Sequence, residues 1–301
     1  MSEFSHVRRI DVMRSKLFVP ADRPALFPKA MASAADAICF DLEDSVLPAQ
    51  KAKARDLLQE FLASEFHTRK VILVRVNQVR SADFAEDISV AVSPRVAVVA
   101  LPKLQDPWEI RDTTAALQAL EKMRNIEIPI GILATIESAR GLRLAASIAA
   151  ADERVVGLQL GFADMFVSLG IRHDDAMAAH HVRLQLRFAA GEAGLPSYDS
   201  VFVNFKNEEG FMREADLARG LGFAGKSCIH PSQIAAANRM FSPSPEEIAA
   251  AMCCVDAARS AAAEGAAAFA LDGCMIDLPL VRRAEHIIDV AAKIRLLEQS
   301  D

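Results

Sequence analysis

The feature that most constrains the fold is a recurring unit: a short apolar run that ends at polar or charged residues and precedes a helical segment. The run at 128–138 has this form and closes on the carboxylate of Glu137. Buried parallel strands have near-continuous apolar sequences of this kind. Seven similar runs occur at 15–21, 37–42, 70–77, 96–103, 155–161, 199–205 and 222–230. Eight strand–helix units predict an α/β protein with a (β/α)8 TIM barrel, in preference to an open sheet.

The chain continues beyond the eighth unit. Its 301 residues suit one barrel, and the Ser-Pro-Ser-Pro sequence at 242–245 marks a break after it. Helical patterns follow at 246–263 and 280–297. We therefore expect the barrel at 1–241 and a C-terminal helical extension at 242–301, which packs on its own barrel or on a neighbouring subunit.

Charge and cysteine content argue against several classes of protein. A formal net charge of -6 gives no reason to expect nucleic-acid binding. The five cysteines show no Cys-x-x-Cys spacing, which disfavours a disulfide framework or a zinc site and suits a reducing compartment. The charged N-terminus lacks the apolar core of a signal peptide, and no apolar segment reaches membrane-spanning length. We expect a cytoplasmic protein that binds neither nucleic acids nor membranes.

Ionisable and polar side chains gather at the ends of the predicted strands, where barrel enzymes carry their active sites. They are Glu43, Asp44, Arg75, Asn77, Lys103, Glu137, Asp164, Asn204, Lys206 and His230. Carboxylates suit a hard cation and bases suit an anionic substrate, so the mixture suggests a metal that bridges the protein to a carboxylate or keto acid. No glycine-rich phosphate-binding loop of the usual spacing is present.

These residues also have purely structural alternatives. Glu137 and Asp164 either bind a cation or are rim carboxylates paired with nearby bases. Arg75 either contacts substrate or pairs with an acidic side chain after the second strand. The basic residues at 51–55 are expected to form only a solvated helix face.

Seven segments carry a family resemblance that spans nearly the whole chain. They are RSKLFVP at 14–20, DLEDSV at 41–46, VRVN at 74–77, LPK at 101–103, IESARGL at 136–142, GFAD at 161–164 and the segment 222–231. In this order and spacing they resemble the citrate lyase beta subunit-like family of the HpcH/HpaI aldolase and malyl-CoA lyase superfamily. The resemblance implies a Mg²⁺-dependent lyase that cleaves or forms a β-hydroxyacyl-CoA thioester, such as malyl-CoA or citramalyl-CoA, with an acyl-CoA and a 2-keto acid as the other reactants.

The resemblance also implies roles for the residues at the strand ends. It places Mg²⁺ on Glu137 and Asp164, with Glu137 lying against the substrate. Arg75 would contact the substrate acid and stabilise the negative charge that develops on oxygen. Glu43 and Asp44 would organise the water shell of the metal and the neighbouring bases.

Other residues implied by the resemblance lie near the two ends of the chain. Arg14, Arg23 and Lys29 would contact the phosphates of CoA. Asp277 would reach over the active site of a neighbouring subunit as the general acid or base, within a homo-oligomer that the resemblance makes a trimer or hexamer. Its alternative role is to cap the helix that follows it.

Several functions remain open on the sequence. One alternative is the citryl-thioester lyase component of citrate lyase, and another is a malyl-CoA thioesterase or a malate synthase-like enzyme. The non-enzymatic alternative is an inactive barrel subunit or a ligand-binding scaffold. Asn207 stands where relatives often carry an aspartate, so the acyl or keto-acid group is left undefined.

Overall fold

The computed structural model describes Ile10 and residues 12–299, so the charged N-terminal segment considered above lies largely outside the described residues. Eight parallel strands close into a barrel, which confirms the predicted fold. Each strand pairs with its neighbours in sequence, and the eighth closes on the first. The strands are β1 (Ser15–Pro20), β2 (Ala37–Asp41), β3 (Val71–Arg75), β4 (Val98–Leu101), β5 (Gly131–Ile136), β6 (Val155–Leu160), β7 (Ser197–Asp199) and β8 (Gly225–Cys228).

Helical segments connect the strands. They are α1 (Phe27–Met31), α2 (Lys51–Ala63), α3 (Phe84–Ala91), α4 (Pro107–Arg124), α5 (Ala139–Arg143), α6 (Ala145–Ala149), α7 (Phe162–Leu169), α8 (Ala176–Glu192), α9 (Glu208–Gly220) and α10 (Ile234–Met240), with 3-10 turns at Pro24–Leu26, Pro48–Gln50 and Pro231–Gln233. Local sequence sets their ends. For α4, Asp106 and Glu109 form a capping box at the start, and Asn125 ends the helix in the left-handed conformation.

Strand alternation decides which side chains enter the barrel. Ala37, Cys39 and Leu73 belong to one buried cluster in its interior. Because side chains on a strand alternate with a period of two, the next inward positions toward the carboxyl ends are Asp41 on β2 and Arg75 on β3. These two residues are also direct partners in the register of the two strands. The apolar interior therefore gives way to charged groups at one end of the barrel.

The prediction for the seventh strand is wrong. It placed the strand at 199–205, whereas β7 is only three residues long, Ser197–Asp199. The apolar residues at 201–205 lie in the following loop, where Val203 is 59% exposed and Phe205 43% exposed. Asn204 and Lys206, which were expected at the end of a strand, are exposed residues of the same loop.

Buried charges explain why β7 lacks a strand-like sequence. The carboxylate of Asp199 is fully buried and accepts hydrogen bonds from Lys226 Nζ at 2.6 Å and Arg183 Nε at 2.9 Å. The adjacent positive charges of these bases outweigh the effect of burial and lower the pKa of Asp199. Polar residues can form this strand because each buried charge has a partner of opposite sign.

The residues from Met240 onward form a second compact unit. It contains α11 (Pro245–Ala263), a hairpin of β9 (Phe269–Leu271) and β10 (Cys274–Ile276), and α12 (Leu278–Glu298). Its core holds Ala251, Cys254, Val255 and Ala284. The two helices match the predicted helical patterns, whereas the hairpin was not predicted. In the described part of the chain, no helix combines the length and apolar character needed to cross a membrane.

Candidate active site

Five carboxylates and two bases meet at the carboxyl ends of β2 to β6. They are Asp41, Glu43, Asp44, Arg75, Lys103, Glu137 and Asp164. Parallel strands present these residues on one rim because each lies at a strand end or in the segment just after it. The structure thus brings together six of the residues predicted at the strand ends, namely Glu43, Asp44, Arg75, Lys103, Glu137 and Asp164.

Arg75 is fixed by two carboxylates. Arg75 donates hydrogen bonds to Asp41 from its Nε and Nη2 atoms, each at 2.7 Å. The Nη1 atom of Arg75 lies 3.0 Å from an oxygen of Glu43. Burial opposes ionisation of Asp41, but the charge of Arg75 outweighs it and lowers the pKa of Asp41. The guanidinium also lies 4.8 Å from the centre of the Phe18 ring. These contacts hold Arg75 in one orientation.

Asp41 was not identified as a site residue from the sequence. It lies inside the apolar run of the second strand and was counted there as part of the strand. A usable signal was present, since Asp41 shares the inward face with Ala37 and Cys39 and therefore points into the barrel.

Lys103 links three of the carboxylates. Its Nζ atom lies 2.7 Å from Glu43, 3.0 Å from Asp44 and 4.0 Å from Asp164. Its backbone N–H donates to Glu137 Oε1 at 2.6 Å. The residue adopts a left-handed backbone conformation with φ of 54°, which is strained for a residue with a side chain. This conformation directs the side chain of Lys103 and its backbone N–H to different acidic partners.

Glu137 is a buried carboxylate in a negatively charged setting. Burial raises its pKa to about 8, and the neighbouring charges of Glu43 and Asp164 add to the effect. Gly161 makes room for it, since a Cβ atom at position 161 would lie 2.4 Å from Glu137 Oε2. The carboxylate therefore occupies space that any residue other than glycine would fill.

The donor set fits a divalent cation. The site contains five carboxylates and two bases. A third base, Lys16, is buried inside the barrel and donates to Gln159 Oε1 at 2.7 Å. Carboxylates therefore outnumber bases even when Lys16 is included. Among the described residues, no group of three or more acidic, histidine or cysteine side chains is arranged as a complete metal site. Mg²⁺ does not need one, because it commonly binds one or two carboxylates and takes its remaining ligands from water and substrate. Glu137 and Asp164 could supply that pair.

A network behind β2 and β3 supports the rim. Lys51 Nζ hydrogen-bonds to Asn77 Oδ1 and lies 3.5 Å from the backbone oxygen of Glu43. Asn77 in turn donates its backbone N–H to Asp87 at 2.8 Å, and Asp87 accepts from Arg55 at 3.1 Å. Arg55 is buried, so the expectation of a wholly solvated basic helix face at 51–55 is wrong. These residues brace the segment that carries Glu43.

The three bases expected to contact CoA phosphates lie in different places. Arg14 precedes β1, at the opposite end of the barrel from the acidic cluster, and is buried in a two-pronged ion pair with Asp36 at 2.9 Å. The structure therefore does not bring Arg14 to the site, because its guanidinium is engaged at the amino ends of β1 and β2. Arg23 and Lys29 follow the carboxyl end of β1 and are exposed.

Asp277 belongs to the second compact unit. It precedes α12 as its N-cap, and its side chain accepts a hydrogen bond from the N–H of Leu280 at 3.5 Å. A cap of this kind satisfies one of the free N–H groups in the first helical turn. The hydrogen bond from Leu280 uses one carboxylate oxygen of Asp277, so the second oxygen is left for another partner.

A closed parallel barrel with ionisable side chains gathered at the carboxyl ends of its strands is typical of (β/α)8-barrel enzymes. The sequence profile of the HpcH/HpaI aldolase/citrate lyase family matches residues 14–231. The chain belongs to this family, in agreement with the resemblance seen in its sequence.

Individual relatives cover nearly the full length of the chain. The chain is 33% identical to citrate lyase subunit beta of Leuconostoc mesenteroides subsp. cremoris, over 95% of both chains. It is 32% identical to L-malyl-CoA/beta-methylmalyl-CoA lyase of Cereibacter sphaeroides, over 93% of this chain and 95% of that protein. The structure is similar to that of protein CitE from Mycobacterium tuberculosis in complex with magnesium, acetoacetate and coenzyme A. The TM-score is 0.75 at 35% identity, over 92% of this chain and 97% of that chain.

Proposed function

We propose that the protein is a Mg²⁺-dependent carbon–carbon lyase. Its substrate would be a β-hydroxyacyl-CoA thioester such as malyl-CoA or citramalyl-CoA, which it cleaves to an acyl-CoA and a 2-keto acid or forms in the reverse direction. The observation that carries the proposal is the buried Glu137, which lies near Asp164 and against Gly161 in a site with excess negative charge. Magnesium, acetoacetate and coenzyme A in the structure of CitE support a site for Mg²⁺, a keto acid and CoA, and the citrate lyase beta subunit of M. tuberculosis has been solved with magnesium and the 2-keto acid oxaloacetate.

Glu137 and Asp164 would hold the metal in this proposal. When bound, Mg²⁺ supplies Lewis-acid polarisation of the keto-acid oxygen and a fixed charge for its carboxylate. Glu137 is the more constrained of the two, because Lys103 N–H fixes one oxygen and the space above Gly161 receives the other. Loss of its proton is required for ligation, since a metal binds the carboxylate form.

Arg75 would stabilise the negative charge that develops on oxygen as the carbon–carbon bond breaks. Its orientation is set before substrate arrives by the two-pronged contact with Asp41 and the ion pair with Glu43. A preoriented charge of this kind is effective because no reorganisation is needed in the transition state. Glu43 and Asp44 would then act indirectly, by positioning Arg75 and Lys103 beside the metal-bound water.

Asp277 would act as the general acid or base from a neighbouring subunit, which makes the proposed enzyme a homo-oligomer. The exposed bases Arg23 and Lys29 would contact the phosphates of CoA, since both lie on the carboxyl side of β1. Arg14 is left out of this proposal because it is buried against Asp36.

The activity is tested by incubating the protein and Mg²⁺ with malyl-CoA, citramalyl-CoA and a citryl thioester. Keto acid and free thiol are measured separately. Keto acid with an acyl-CoA product is the expected result. Free thiol without keto acid would instead identify thioester hydrolysis, and the absence of turnover with every substrate would refute the proposal.

The metal ligands are tested by Mg²⁺ binding in Glu137→Gln and Asp164→Asn. Both variants should lose saturable binding, whereas Asp56→Asn, at an exposed position of α2, should bind as the wild type does. Unchanged binding in Glu137→Gln would show that the ligand assignment is incorrect.

Sharing of the site between subunits is tested by mixing two inactive variants. Asp277→Ala and Arg75→Ala chains should recover activity in a mixed oligomer, because one intact site forms from one chain of each kind. Failure to recover activity in a verified mixed oligomer would argue against a site that is shared between subunits.

A further inference from the structure

A separate cavity lies at the amino ends of β3 and β4, opposite the proposed active site. It has a volume of about 260 Å³ and is lined partly by Phe66, His67, Thr68, Lys70 and Arg95. Lys70 immediately precedes β3, and Arg95 lies three residues before β4. None of these residues takes part in the chemistry proposed above.

The cavity is basic in a protein whose overall charge is negative. The chain carries a formal net charge of -6, yet among the described residues the cavity lining includes three basic side chains and no acidic one. Within the same part of the chain, neither Lys70 nor Arg95 forms an ion pair with a carboxylate; their hydrogen bonds go to backbone oxygens. Half-buried positive charges without a protein counterion favour a bound anion.

Neighbouring groups fix the bases in place. Lys70 Nζ donates to the backbone oxygens of Ser33 at 2.6 Å and Ala35 at 2.9 Å, which leaves one ammonium hydrogen for another acceptor. Arg95 Nη1 donates to the backbone oxygen of Phe66 at 2.6 Å, and its guanidinium lies 4.3 Å from the centre of the Phe66 ring. The other guanidinium N–H groups remain to bind a ligand.

Thr68 adds a hydroxyl group to the lining. Its Oγ1 accepts a hydrogen bond from the backbone N–H of Lys70 at 3.1 Å, so its own hydrogen can be donated elsewhere. An ammonium, a guanidinium and a hydroxyl that open onto one small cavity match the several acceptor oxygens of a compact oxyanion. The volume is below that of a typical pocket for a drug-sized or cofactor-sized ligand.

We propose that this cavity is a binding site for a small oxyanion of the phosphate class, distinct from the active site. Lys70 and Arg95 supply the charge, and Thr68 and His67 supply further polar contacts. Donors on several side chains suit the separate oxygen atoms of an oxyanion better than a single chloride ion, so we expect the site to prefer oxyanions over chloride.

Calorimetric titration with inorganic phosphate, in chloride buffer at constant ionic strength, tests the proposal. The wild type should bind phosphate at one saturable site. Exposed Thr68 offers a matched pair of variants. Thr68→Glu places a carboxylate beside the bases and should weaken binding at least tenfold. Thr68→Gln is uncharged and its amide N–H can donate in place of the lost hydroxyl, so its binding should stay within about threefold of the wild type. Thr68→Glu should also raise the Tm in phosphate-free buffer, because it supplies the missing counterion.

Two further variants separate this cavity from the active site. Arg95→Gln should weaken phosphate binding at least tenfold, while the double variant Arg23→Gln/Lys29→Gln should retain it. Absence of saturable binding in the wild type would overturn the proposal. So would phosphate binding that survives in both Thr68→Glu and Arg95→Gln, or that disappears in the Arg23/Lys29 double variant.

Discussion

Replacing Gly161 with alanine is the sharpest test of how the site holds Glu137. The added Cβ would lie 2.4 Å from Glu137 Oε2 and 2.7 Å from Glu137 Cβ, closer than side-chain contacts occur in proteins. Ordinary van der Waals contact begins at 3.4 Å, so the carboxylate oxygen must move by about 1 Å. Lys103 N–H and Glu137 Oε1 would separate as a result, because the carboxylate moves as a rigid group.

The size of the effect follows from this displacement. A shift of about 1 Å in a catalytic group costs on the order of 100-fold in rate. Overpacking a well-filled interior costs about 1–3 kcal/mol in the free energy of unfolding. We therefore expect Gly161→Ala to fold, to bind Mg²⁺ at least tenfold more weakly and to lose about 100-fold in kcat/KM.

Calorimetric titration of Mg²⁺ and urea unfolding measure the two effects separately. Gly220→Ala is the matched control, since no atom lies within 4 Å of the corresponding Cβ and α9 ends at this residue. It should leave Mg²⁺ binding unchanged and stabilise the helix by up to about 1 kcal/mol. Wild-type Mg²⁺ affinity in Gly161→Ala would refute the assignment of Glu137 as a ligand held by this contact.

Three more predictions concern single charges. Mg²⁺ affinity should rise about tenfold per pH unit from pH 6 and level off near pH 8, because ligation requires loss of a proton whose pKa at Glu137 is raised to about 8; a flat calorimetric profile would contradict this. Asp41→Asn should lower kcat/KM by roughly 10- to 100-fold, since Arg75 loses a charge-assisted contact, and steady-state kinetics that match the wild type would exclude that role. Lys226→Met should lower the free energy of unfolding by about 3–5 kcal/mol in urea, because it removes one counterion of the buried Asp199; a loss below about 1 kcal/mol would show that Arg183 suffices.

The apolar runs were enough to predict most of the barrel. The strands β1 to β6 and β8 lie inside predicted runs. For β2 to β6 the reason is that a parallel strand buried on both faces needs a near-continuous apolar sequence, whereas β8 itself reads Gly-Lys-Ser-Cys and was located by the apolar residues that flank it. The seventh strand departs from this rule. Its acidic end is buried against Lys226 and Arg183, which lie far away in sequence, so no local pattern distinguishes Ser197–Asp199 from a loop.

The same reasoning explains which site residues were found. Glu43, Arg75 and Glu137 were recognisable because each follows an apolar run. Arg14 was grouped with them by the family resemblance. Its position was predictable from the strand order, because a residue that precedes a strand lies at the amino end of a parallel barrel. Burial of Arg55 depends on Asp87, which belongs to another helix, and this contact leaves no trace in the local sequence.

The left-handed backbone of Lys103 has a consequence for the evolution and engineering of this protein. Because glycine would relieve the backbone strain at this position, a search for stabilising substitutions would select it. It would also remove the ammonium that neutralises Glu43, Asp44 and Asp164, while retaining the N–H that holds Glu137. Thermal stability and charge balance at the site thus make opposite demands on one residue. Under selection for heat resistance alone, we expect Lys103 to be the first residue of the site to be replaced.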